Sequence, residues 1–174
     1  LPPRLPFTRP MPASAASGCS ATASKSWLPY KGPVYRIEAS ANGPTCRHAA
    51  VTIVVRGPYG KVLWAEAAPA EHVMTFVDVK TRAQMARALG EWLSQSHMFR
   101  SSADLPEWKR GADAPASGEF PFIPESHYDR ESYEKARAAK MPMLCYVQGM
   151  ESMACIGLEN ESQMTKIGVQ LFPG

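Results

Sequence analysis

Apolar and polar positions alternate from Val34 to Ala39, the two-residue period of a half-buried strand. Ala41-Asn42-Gly43-Pro44 ends that pattern with turn chemistry, because Asn-Gly accepts positive φ and Pro cannot continue a ladder. Two β-rich runs, 51–56 and 61–65, then flank Gly57-Pro58-Tyr59-Gly60 and predict a hairpin with a four-residue loop. Pairing Val55 with Val62 sets Ile53 opposite Trp64, so Val51, Ile53, Val55, Val62 and Trp64 share the core side. Thr52, Arg56 and Lys61 fall on the solvated side. Residues 73–79 read as a fourth strand, although neither of its faces is cleanly polar.

At Thr81 the period becomes helical. Thr81 and Gln84 have capping-box spacing, and Met85, Leu89, Trp92, Leu93 and Phe99 follow on one stripe. A helix over 82–97 is expected, closed by His97. The pattern lapses over 100–122, where Pro106, Gly111, Pro115, Gly118 and Pro121 punctuate the chain. Trp108, Phe120 and Phe122 within it either pin the loop to the body or form an apolar patch for a partner. Ser126-His127-Tyr128-Asp129 starts a second, mostly polar helix to about Lys140, with Tyr128, Tyr133 and Ala136 as a thin apolar stripe. The chain ends in three more β runs, 143–148, 153–158 and 165–172, which read as a meander.

Consecutive strands with short links imply antiparallel pairing. The expected fold is α+β: one antiparallel sheet of six to seven strands with the main helix packed on a face. The order hairpin, helix, three-strand meander is similar to that of profilin-like and PAS-like sensor folds. That resemblance is one of strand order, and it implies a small-ligand sensor as one role.

The chain of 174 residues holds 16 prolines, and its N-terminal part is rich in Pro, Ala and Ser. Residues 1–29 are expected to be a flexible leader or linker, and 30–174 a single α+β domain. Ala16-Ser17-Gly18-Cys19 resembles the site at which bacterial lipoproteins are cut and lipidated, which makes Cys19 a lipidation candidate beside the plain linker reading. Net charge is +3; Arg4, Arg9 and Lys25 fall in the first 30 residues with no acid, so the remainder is neutral. Nucleic-acid binding needs a clustered basic surface, and none is visible, so no nucleic-acid partner is expected. No 18-residue apolar run occurs, so no transmembrane helix is expected.

Cys19, Cys46, Cys145 and Cys155 are the disulfide candidates; four cysteines allow three pairings. Cys145 and Cys155 flank a hairpin turn and come within reach of each other. Disulfides belong to oxidising compartments, so an exported protein of the bacterial periplasm or cell envelope is expected. Cys46-Arg47-His48 has the form of two metal ligands but lacks a second pair, and His127, Glu131 and Glu134 share a helix face interleaved with basic residues. Neither is taken as a metal site, and no cofactor is expected. Phosphate-loop, dinucleotide, zinc-protease and nucleophile-elbow motifs do not occur. The leading expectation is therefore a non-catalytic exported domain that binds an unknown protein or envelope component through the 100–122 loop. Its contacts would be Trp108, Phe120 and Phe122. The alternative is an enzyme that uses a cysteine thiolate with His48 as base.

Overall fold

The computed structural model describes residues 18–116 and 118–172. Its nine strands form two antiparallel sheets, four-stranded and five-stranded, with two α-helices. The fold is thus α+β, but the expected single sheet is two.

The first sheet is the meander β1 (Cys19–Trp27), β2 (Tyr35–Gly43), β3 (Ala50–Arg56) and β4 (Val62–Pro69), in that order. β1 corrects the reading of 1–29 as a leader, since its last third is a strand; residues 1–17 lie outside the described residues. In β1 the odd positions Cys19, Ala21, Ala23, Lys25 and Trp27 turn inward while Ser20, Thr22, Ser24 and Ser26 face out. β2 and β3 repeat the alternation with Tyr35, Ile37, Ala39, Ala41, Val51, Ile53 and Val55 buried. The β3–β4 register differs from expectation. Val55 lies opposite Trp64 and Ile53 opposite Glu66, with a register shift beyond Val55 that pairs Arg56 with Val62. The shift follows from the turn: the Gly57 amide donates to the Lys61 carbonyl, so the loop closes one residue later. Val62 is therefore exposed rather than core, and Glu66 takes an inward position.

Residues 73–79 are not a strand. Two single 3-10 turns, Ala70–His72 and Met74–Phe76, lead into α1 (Arg82–Trp92). Thr81 and Gln84 make the capping box, with Thr81 Oγ1 accepting from the Gln84 amide at 3.1 Å. The helix stops five residues before its expected end. Ser94 Oγ donates to the Gly90 carbonyl (2.7 Å) and Gln95 Nε2 to the Glu91 carbonyl (3.1 Å), so side chains take up the carbonyls at the helix end. α1 buries Met85, Ala88, Leu89 and Trp92, chiefly against β1 and β2.

The second sheet runs β5 (Phe99–Ser101), β7 (Pro142–Val147), β8 (Ser152–Asn160), β9 (Gln163–Leu171), β6 (Phe122–Pro124). The expected meander is β7–β8–β9. Both faces of the sheet's central strands β7 and β8 are buried. Leu144, Tyr146, Ala154, Ile156 and Leu158 join the core of the first sheet. Met143, Cys145, Cys155, Ile167 and Phe122 form a second core under Tyr133 of α2 (Arg130–Ala138). Gly168 lets β6 approach β9: a Cβ there would run into the Ile123 carbonyl and the Phe122 ring. Ser102, fully buried, ties the α2–β7 corner together by donating to the Ala136 carbonyl (2.7 Å) and accepting from the Met141 amide (2.8 Å).

Two disulfides, Cys19–Cys46 and Cys145–Cys155, use all four cysteines. Cys145 and Cys155 are direct cross-strand partners. The Cys145 amide donates away from β8, to the Met98 carbonyl at 2.8 Å, so the pair is the close, non-hydrogen-bonded kind that a disulfide can span.

Candidate functional site

A groove opens where the C-terminal end of α1 meets the end of the second sheet. Its position follows from three local features. The Met74 amide donates to the Gly149 carbonyl (3.1 Å), which fastens the 74–76 turn to the β7–β8 turn. Trp92 Nε1 donates to the Val147 carbonyl (2.8 Å), which fixes α1 against β7. The Phe172 amide donates to the Glu151 carbonyl (3.0 Å) and holds the end of β9 in place. The space between them has a volume of about 530 Å³. Met74, Val147, Met153 and Phe172 supply its apolar wall, and Thr75, Glu91, Gln95 and His97 its polar rim. Met150, exposed, stands in the adjoining β7–β8 turn. Methionine suits such a wall, because its flexible thioether chain fills irregular contacts.

His97, expected to close the helix, lies in the connection after it. Its Nε2 is buried and has no hydrogen-bond partner. Burial, with Arg100 adding repulsion, holds the imidazolium below the ordinary histidine range, so the ring is neutral at pH 7.

Deeper inside, Trp64, Glu66 and Tyr146 bridge the two sheets. Tyr146 donates to Glu66 and accepts from Trp64 Nε1 at 3.0 Å. Burial, and then the Glu66 carboxylate, raise the Tyr146 phenol far above its usual range, so it stays protonated and works as a structural tie. The space beside it, lined by Trp92, Val51 and Ile53 among others, measures about 10 Å³. That is at the threshold for one water. That space is far smaller than the deep ligand pocket a PAS-like sensor reading calls for. The hairpin and the meander also lie in different sheets.

The 100–122 loop is not assembled as the expected patch. Phe122 is 1% exposed and belongs to β6 and the second core. Trp108 packs edge-on against Tyr133, donates from Nε1 to the Ala112 carbonyl (2.7 Å), and gives its backbone amide to Glu134 (2.7 Å). Phe120 alone of the three is 51% exposed. The aromatics thus chiefly pin the loop.

His48 sits in the turn closed by Thr45, with its Nδ1 3.1 Å from Thr45 Oγ1, beside a cysteine already bonded to Cys19. In this disulfide form no thiolate stands beside His48. The Cys19 sulfur that a lipid thioether would need is likewise taken by Cys46. Two acids of the second helix are engaged elsewhere: Asp129 caps α2, and Glu134 binds Arg137 at 2.7 Å. Among the described residues no group of three or more His, Cys, Asp or Glu is placed to hold a metal.

No family model matches the chain, and neither a curated protein nor a solved structure matches it. Two disulfides are consistent with an exported protein, and among the described residues no helix is long and apolar enough to cross a membrane.

Proposed function

We propose that the chain is a non-catalytic binding module of an exported, envelope-facing protein, and that the methionine-lined groove receives an apolar segment of a protein partner. The observation that carries the reading is the groove itself, with four apolar side chains gathered around about 530 Å³ at the surface. That volume lies within the range of ligand sites. The exposed Met74 and Met150 extend its apolar lip, and a polar rim suits a partner whose backbone crosses at the edge. The paired cysteines support the exported setting.

The test is titration of the intact chain with the apolar dye anilinonaphthalene sulfonate. Saturable binding to the native protein is expected, and Met153→Glu should abolish it without lowering the thermal midpoint by more than a few degrees. No saturable binding, or binding that Met153→Glu and Met74→Glu leave untouched, overturns the assignment.

A further inference from the structure

The opposite feature of the molecule is a cationic end with apolar tips. The β1–β2 turn (28–34) and the β3–β4 turn (57–61) project from the same end of the first sheet. The register requires this, setting Ser26 beside Arg36, Arg36 beside Arg56, and Arg56 beside Val62. With strands about 4.8 Å apart, the two turns are centred about 10 Å from each other. They carry Leu28, Val34 and Tyr59, all exposed, with exposed Val62 opening β4 beside them, and Tyr59 at the hairpin tip is 98% exposed. Each turn also carries one exposed lysine, Lys31 and Lys61, and neither turn contains an acid.

Beside Leu28 lies an open basin of about 330 Å³ between the end of β1, β5 and the α2–β7 corner. Arg100 and Lys140 line it, together with Ser101, and no carboxylate does. Asp104, in the turn that follows β5, accepts from the Ser101 amide at 2.9 Å, and Arg100 donates to its backbone carbonyl at 3.4 Å. On the β8–β9 side, Glu161 is exposed and takes the Tyr35 hydroxyl on its carbonyl. Lys140 adds a second, independent observation. It has φ 50°, and among the described residues it is the non-glycine with positive φ. It follows the last turn of α2, where glycine is the favoured residue. A lysine held there against backbone preference puts a cation at the basin.

We propose that this end seats on an anionic phospholipid bilayer, with a lipid phosphate in the basin between Arg100 and Lys140 and with Leu28 and Tyr59 in the boundary between headgroups and acyl chains. Two separate apolar tips, each with a lysine in its turn, suit a bilayer surface better than a protein partner, which would need a continuous apolar patch. Tyrosine is at home at that depth, with its ring in the apolar layer and its hydroxyl in the wet one.

Co-sedimentation of the intact chain with vesicles tests this. Vesicles of phosphatidylglycerol and phosphatidylethanolamine should retain the protein, and pure phosphatidylcholine vesicles should not; added salt should weaken retention. Lys140→Gly should cut vesicle affinity about fivefold, the effect of one cation at such a surface. Because glycine relieves the backbone there, its thermal midpoint should be no lower than that of the parent. Leu28→Ser with Tyr59→Ser should cut affinity about tenfold or more. Met153→Glu should change nothing, which separates this proposal from the groove. Equal retention on both vesicle types, or undiminished retention of Lys140→Gly, overturns it. So does saturable binding of inorganic phosphate, or of an acidic peptide, without vesicle binding.

Discussion

Replacing both Cys19 and Cys46 by alanine asks whether β1 is an integral strand. The bond joins residues 27 apart in sequence. Loop-closure entropy for that separation gives about 3.6 kcal/mol of stabilisation at 25 °C. Both cysteines are buried, at 1% and 6% exposure, so lost contacts add to this and a total near 4 kcal/mol is expected. For a chain of this size each kcal/mol corresponds to roughly 2–4 °C, so the thermal midpoint should fall by roughly 8–16 °C. Urea titration measures the free energy, and the slope shows whether the unfolding unit stays the same. Hydrogen exchange locates the effect: β1 is an edge strand bonded only to β2, so the β1–β2 ladder should open first. A loss under about 1 kcal/mol with β1 amides still protected would refute the reasoning, because the disulfide would then be ornamental to the strand.

Tyr146→Phe leaves the Trp64 indole and the Glu66 carboxylate without their shared partner, and should cost about 2 kcal/mol by urea titration; a loss below about 0.5 kcal/mol contradicts the tie between sheets. His97 is held neutral in the folded state, so the unfolded chain binds more protons as pH falls through the ordinary histidine range. Stability should therefore drop between about pH 7.5 and about pH 5.5, and His97→Gln should flatten that part of the profile. An unchanged slope in the variant would assign the effect elsewhere. Gly168→Ala should destabilise by about 2 kcal/mol as β6 is pushed off β9, and a neutral result would mean that β6 yields without cost.

Strongly periodic segments were readable from sequence alone. The Thr81 capping box, the buried stripe of α1 and the β7–β8–β9 meander follow from residue spacing, and the hairpin brings Cys145 and Cys155 within reach of each other without choosing among the three pairings. β1 was not readable, because Cys-Ser-Ala-Thr-Ala-Ser alternates with side chains too small to stand out from a linker. β5 and β6 are three residues each, below the length at which period decides anything. The division into two sheets depends on which faces are covered, and that is a tertiary matter. The hairpin register depended on one residue of loop closure.

Of the candidate site, the disulfide cysteines were legible as a set and their partners only in part. The groove was hidden because Met74, the β7–β8 hairpin with Val147 and Met153, and Phe172 are three stretches separated in sequence, each apolar for reasons that look like ordinary core. Phe122 and Trp108 misled in the opposite direction. Aromatics in a long loop read equally as anchors and as a patch, and the second core beneath α2 makes them chiefly anchors. His97 carried a usable hint, since a histidine beside the end of an apolar stripe invites a question about its second nitrogen.

Two sheets stapled at Cys19–Cys46 and Cys145–Cys155 define the molecule, a pairing that an oxidising compartment sustains. Peptide mapping of protein isolated from its native host, alkylated before any reduction, tests it directly. Two cross-linked peptide pairs with those partners and no alkylated cysteine are expected. Four alkylated thiols, or Cys19 and Cys46 joined to the other two cysteines, would contradict it.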